Sequence, residues 1–232
     1  MTLNSKLVIA MAAVASMSAG FWLSSLQQSA EDKSAEALKQ KALDEARNNY
    51  SPIQGTILSP ARKISIPALT KDSGETFSMD DLMGHWSLFF FGYTHCPDIC
   101  PVTMGVVSQA KKIATGNNHM FPEVFFVSVD PERDTVEMLT DYVRYFDKDF
   151  VGVTGEANLI KALTLQMSVV YMIIPADNDT GAEPKDGSTY TVDHSAALLL
   201  LNPEGKLAAF FNPPHDAKTI LKDFQTVVNL SN

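Results

Sequence analysis

A pair of cysteines on one short segment constrains this chain more than any other feature. The stretch Ser87–Met104, SLFFFGYTHCPDICPVTM, opens with Leu88-Phe89-Phe90-Phe91, a run with the length and aromatic content of a buried central strand. The run stops at Gly92, and the residues after it carry Cys96 and Cys100, with Pro101 next. A residue before proline is disfavoured in the α region, so the pattern predicts Cys100 at a helix N-cap and Pro101 at N1. Two sulfurs then sit between a buried strand and the start of a helix. The partial positive charge of that helix end favours thiolate over thiol. Thiolate is the form that attacks disulfides and the form that binds soft metals.

These are the chain's only 2 cysteines, and so close together they cannot staple distant parts of a fold. Their concentration at one loop points to redox chemistry or metal binding. The 232 residues suffice for one domain with extra segments, and 45% hydrophobic residues suffice for its core. A net charge of −9 argues against nucleic acid and against an anionic membrane surface as partners.

Leu7–Leu26 contains no charged residue, and as a helix it would span roughly 30 Å, the hydrocarbon thickness of a bilayer. Lys6 precedes it and Glu31 and Asp32 follow, which orients residues 1–6 to the cytoplasm and the rest outward. A cleaved signal peptide ending near Ser18-Ala19-Gly20 is the competing reading. The apolar stretch continues past that point, which favours an uncleaved anchor. Either reading puts the folded domain outside the cytoplasm. Glu31–Asn49 is polar and reads as a solvated helical stalk within a linker over 27–55, with the folded domain over 56–232.

Beyond the stalk, strand and helix patterns alternate. A hairpin is expected over Ile64–Phe77 with its turn at Asp72-Ser73-Gly74, then a one-turn helix capped by Ser78. After the central strand come a helix from Pro101 to about Thr115, a strand at Val124–Val129 and a helix at Thr135–Phe146. A short strand at Phe150–Val153, a helix at Leu159–Met167 and an apolar run at Val169–Ile174 follow. Ala176–Ser188 reads as a mobile polar loop. Ala196–Leu201 and Lys206–Phe211 form a hairpin across Asn202-Pro203-Glu204-Gly205, and Ala217–Val228 is a closing helix. This order describes an α/β domain with a mixed sheet, and a dithiol at the end of the first central strand is the thioredoxin-like arrangement. The spacer here is three residues rather than two.

A CxxxC pair permits reversible disulfide formation or chelation of a soft ion, which a third ligand would tighten. Among the histidines, His95 is adjacent to Cys96 and its ring points away, while His85 precedes the strand at its opposite end. His119 and His215 lie in polar loops or turns. His194, in TVDHS, lies at the mouth of the terminal hairpin. Both a ligand and a surface histidine at a strand start fit it, with Asp193 as its orienter or as a turn residue. Met104, Met138, Met167 and Met172 read as gap-filling core rather than copper ligands. Asp134 reads as a helix cap.

Three segments, GYTHCPDICP, VSVDPERDT and VDHSAALLLLNPEGK, in this order and spacing closely resemble the Sco (SenC) family of membrane-anchored, thioredoxin-like copper proteins. The resemblance runs from about Pro60 to the terminal helix. CxxxC alone is weak, and its combination with a distant Asp-His before the hairpin is specific. The resemblance implies that Cys96, Cys100 and His194 hold one copper, as Cu(I) or Cu(II). It further implies a metallochaperone that helps deliver copper to cytochrome c oxidase. The partners implied are the copper-bearing subunit of that oxidase or another cuproprotein, and an upstream copper donor. The place implied is the periplasmic face of a bacterial inner membrane. A thiol-disulfide oxidoreductase, with Cys96 or Cys100 as nucleophile and the other resolving, is the alternative. A peroxiredoxin-type peroxidase fits least, because Phe89 and Tyr93 stand where that family's proline and threonine are required.

Overall fold

Every residue of the expected central strand is buried, and the sheet is built outward from it. The computed structural model describes residues 53–175 and 190–231. The expected anchor, the stalk and the Ala176–Ser188 loop lie outside these residues. Among the described residues no helix is long and apolar enough to cross a membrane.

The domain starts with β1 (Gly55–Arg62), followed by a small hairpin of β2 (Leu69–Lys71) and β3 (Thr76–Phe77). Its turn is the expected one, with Gly74 at φ 84°, a left-handed conformation that costs glycine nothing. The hairpin is shorter than expected, because Ile64 and Ile66 pack against the core ahead of the ladder. Ser78 caps a 3-10 turn at Met79–Leu82 and Asp81 returns a bond to the Ser78 amide, a capping box.

Then come β4 (Ser87–Gly92), α1 (Ile99–Gly116), β5 (Glu123–Ser128), α2 (Val136–Phe146), β6 (Val151–Thr154) and α3 (Ala157–Gln166). The three strands pair in parallel, as helical crossovers require. β7 (Tyr171–Pro175) and β8 (Tyr190–His194) form a separate two-stranded ribbon. The chain closes through the hairpin β9 (Leu198–Leu201) and β10 (Leu207–Phe211) and the helix α4 (Ala217–Ser231). Among the described residues the main sheet runs β1-β10-β9-β4-β5-β6-β2-β3. This is a thioredoxin-like α/β fold with a mixed sheet.

Alternation along β4 sends Phe89 to one face, against Phe125 at 5.2 Å between ring centroids, and Phe90 to the other, against Phe126 at 6.0 Å. Tyr142 of α2 covers Phe126 at 5.0 Å. Buried on both faces, β4 is the rigid element from which the cysteine loop departs.

Two methionines correct the core expectation. Met104 and Met167 are buried, but Met138 is 38% exposed and Met172 62% exposed. Met138 lies on the outer side of an amphipathic helix. Met172 lies on the ribbon, where Ile173 and Ile174 are also exposed. The apolar run at Val169–Ile174 therefore forms no central strand of the main sheet.

Candidate metal centre

The cysteine loop leaves β4 at Gly92, whose carbonyl accepts the amide of Val129 at 2.8 Å and so stays tied to the end of β5. The helix begins earlier than its proline suggests. Asp98 is the N-cap, Cys100 already lies in the first turn of α1, and the Val102 amide donates to the Asp98 carbonyl at 3.2 Å. The first amides of a helix have no intrahelical acceptor, so Pro101 forfeits nothing in that turn. Cys96 is thus a loop residue and Cys100 a helix residue.

His194 ends β8 rather than opening the terminal hairpin. Its Nε2 lies 3.1 Å from Cys100 Sγ, and this nitrogen and the two sulfurs all fall within 4.8 Å of one another. Nδ1 is 3.2 Å from the Ser195 carbonyl. A carbonyl only accepts, so Nδ1 carries the proton and Nε2 turns its lone pair toward the sulfurs. Phe90 and Tyr93 flank the imidazole at 6.0 and 5.9 Å between centroids. Asp193 is exposed and alternates to the other face of β8. The Ser195 carbonyl, not Asp193, orients the ring.

The two thiols are pushed apart in acidity. The hydrogen bond from Cys100 pulls the Cys96 thiol down to about 4 against the opposing effect of burial, helped by the Asp98 and Cys100 amides at the start of α1. Burial pushes the Cys100 thiol up, and its role as donor to Cys96 pushes it further. Both cysteines are free, so the pair is one thiolate steadied by one thiol.

Two soft sulfurs and one imidazole suit copper in either common oxidation state. The cradle beneath them admits no extra atom, since a Cβ on Gly92 would lie 2.7 Å from Cys100 Sγ and 2.9 Å from the Phe126 ring.

A buried carboxylate anchors the loop. Asp134, 1% exposed, accepts the Thr94 amide at 3.0 Å, the Thr94 hydroxyl at 2.6 Å and the Ser128 hydroxyl at 2.6 Å. The expectation that Asp134 caps α2 is corrected, because Thr135 does so by accepting the Met138 amide at 3.3 Å. Gly92, Thr94, Ser128 and Asp134 escaped sequence reasoning as site residues. One signal was available: VSVDPERDT leaves a buried strand at the same sheet end as the cysteines, where charges meet the loop rather than open solvent.

The other histidines stay out of the cluster. His95 turns to Thr94 Oγ1 at 3.1 Å, as expected from its adjacency to Cys96. His85 contacts the Asp81 carbonyl at 3.0 Å, and His119 is exposed. His215 is half-buried rather than exposed, with Nε2 at 2.7 Å from the Ala196 carbonyl, and burial lowers its pKa.

The SCO1/SenC family profile matches residues 61–229. The chain is 35% identical over 157 residues to an SCO2-like protein of Rickettsia prowazekii, a match covering 68% of this chain and 73% of that protein. It is 34% identical over 153 residues to the mitochondrial SCO1 homolog 1 of Arabidopsis thaliana, covering 66% of this chain and 43% of the plant protein. The chain thus spans less than half of that relative. Its fold superposes on the crystal structure of Arabidopsis thaliana ScoI with copper bound at a TM-score of 0.63 and 32% identity, covering 72% of this chain and 99% of that one.

Proposed function

The chain belongs to the SCO1/SenC family, and from that premise we propose that it carries one copper on Cys96, Cys100 and His194 and passes it to a cuproprotein, the copper-bearing subunit of cytochrome c oxidase. One observation carries the reading: two sulfurs and an imidazole Nε2 fall within 4.8 Å of one another, although the histidine comes from β8, 94 residues after Cys100. Cys96, already a thiolate, is the first donor to the incoming ion. Cys100 gives its proton to solvent as its sulfur joins, and Nε2 of His194 completes the set without losing one.

A second reading uses the same sulfurs, and the depressed Cys96 thiol favours it. Cys96 thiolate attacks a partner's disulfide, one partner sulfur leaves as thiolate, and a mixed disulfide forms. Cys100, deprotonated, then attacks Cys96 Sγ and releases the second partner sulfur. The partner gains two electrons and this pair becomes a disulfide.

His194 separates the two readings. Anaerobic titration of the reduced domain should show one copper per chain. In His194→Ala, Cu(II) affinity should fall by far more than Cu(I) affinity, because two thiolates alone still suit Cu(I). Reduction of a model disulfide should survive in that variant. Lost exchange with intact copper binding would reverse the assignment.

The proposal includes placement. Leu7–Leu26 anchors the chain, the linker expected over 27–55 gives way to the domain by β1 at Gly55, and the domain works outside the cytoplasm, on the periplasmic face of a bacterial inner membrane. Mass spectrometry of the membrane-extracted protein should return an intact N-terminal segment, whereas a mature end near Phe21 would overturn the anchor.

A further inference from the structure

The ribbon that carries His194 is not part of the main sheet, and a two-stranded ribbon alone is marginally stable. Something other than a ladder must fix the imidazole relative to the sulfurs. Along β8, Tyr190, Val192 and His194 share one face, since strand side chains alternate. The first two are gripped from the cysteine side of the molecule. Tyr190 donates its hydroxyl to Asp130 Oδ1 at 2.8 Å, and its carbonyl accepts Arg133 Nη1 at 3.3 Å. The Arg133 guanidinium lies 3.9 Å from the Tyr190 ring centroid and 5.6 Å from that of Tyr93. The amide of buried Val192 donates to the Tyr93 hydroxyl at 3.4 Å.

Tyr93 belongs to the cysteine loop. Its carbonyl accepts the Cys96 amide at 3.2 Å, and its ring stands edge-on to His194. Arg133 thus touches both the loop that carries a sulfur and the strand that carries the imidazole. Asp130 holds it there through an Nε–Oδ2 contact of 2.5 Å, with side chains 2% (Asp130) and 16% (Arg133) exposed.

We infer that Asp130 and Arg133 are positioning residues for the metal centre: set between Tyr93 and Tyr190, the guanidinium fixes how far His194 stands from Cys96 and Cys100. A planar, delocalised cation can face two aromatic rings and donate to a carboxylate at once, which an ammonium cannot reproduce. The consequence for copper rests on the carrier reading above; the placement of His194 does not. The cysteine loop keeps its ties through Asp134 to Thr94 and through Gly92 to Val129, so the effect falls mainly on the nitrogen ligand and discriminates between oxidation states.

Removing only Arg133 would strand a buried carboxylate, so the test uses Asp130→Asn/Arg133→Met together, with Arg133→Lys beside it. Three quantities are read on the reduced protein: Cu(I) affinity by competition, Cu(II) affinity with its nitrogen hyperfine coupling, and, without metal, the nuclear Overhauser contact between the Tyr93 and His194 rings. In the double variant Cu(II) affinity should fall roughly 10–100-fold, as for loss of a ligand's supporting partner, with Cu(I) affinity within about threefold of the parent. The nitrogen coupling and the ring contact should weaken together, and Arg133→Lys should lie between. A folded double variant with the parent's Cu(II) affinity, nitrogen coupling and ring contact overturns the inference. A parent that takes no copper, combined with loss of the ring contact in the variant, sinks the carrier reading and leaves the positioning role standing. If the double variant does not fold, Tyr190→Phe carries the test, with a smaller change of the same sign expected and no change overturning the inference.

Discussion

Cys96→Ser and Cys100→Ser should each abolish tight Cu(I) binding, the largest loss expected from any single substitution in this chain. A serine hydroxyl is a hard donor that does not ionise at neutral pH, and one thiolate with one imidazole is a poor trap for a soft ion. The loss should exceed the roughly 10–100-fold typical of removing a partner of a ligand, because here the ligand itself is gone. The two variants should differ in one respect. Cys100 is fully buried in the first turn of α1, so its replacement also shrinks a packed side chain and puts a more polar atom beside Phe126 and Gly92. Cys96, at the loop edge, should change stability less. Anaerobic competition against a Cu(I) chelator, beside denaturant unfolding of the metal-free protein, measures both. An unchanged affinity in Cys100→Ser would remove the dithiol as the chelate. Oxidising the parent to its disulfide should block binding as fully as either substitution, since neither sulfur of a disulfide is a thiolate.

Asp134→Ala should give the largest loss of stability at the site without touching a ligand. The carboxylate gathers the Thr94 amide, the Thr94 hydroxyl and the Ser128 hydroxyl, and alanine leaves all three without it. The hydroxyls can rotate toward other acceptors, but the amide is fixed by the backbone. With each buried unpaired group costing about 1–3 kcal/mol, a loss of roughly 2–5 kcal/mol is expected. For a domain of this size that lowers the melting temperature by on the order of 10 °C. Copper affinity should fall with it, because Thr94 sits two residues before Cys96 and its tether sets where that sulfur can stand. Asp134→Asn keeps one acceptor oxygen and should cost less. Calorimetry of the metal-free protein with Cu(I) competition tests the ordering, and an Asp134→Ala protein as stable as its parent would refute the anchoring role.

The local architecture was legible in the sequence because local rules write it. Leu88–Phe91 reads as a central strand because a strand covered on both faces needs no polar alternation. Asp72-Ser73-Gly74, Ser78 and the Asn202–Gly205 turn were identifiable because their side chains act on backbone within a few residues. The segment with both sulfurs was plain from spacing alone. The helix start was misplaced, since Pro101 marks the first turn of a helix without saying which position of that turn it takes.

What tertiary structure alone decided is how distant residues share one end of the sheet. Parallel β4 and β5 both point their C-terminal ends the same way, so the loop after one meets the turn after the other. That meeting buries Asp134 against Thr94, 40 residues away, and the docking of the β7–β8 ribbon sets Tyr190 against buried Asp130, 60 residues away. In sequence such charges look like solvated surface. His194 was open between ligand and surface residue on its own pattern, and only the docking of the β7–β8 ribbon brings its Nε2 to Cys100. The same docking leaves Met172 and Ile173 exposed although they belong to an apolar run. Periodicity records which residues avoid water, whereas the partner of a buried polar group is set by chain topology, and no local pattern encodes that.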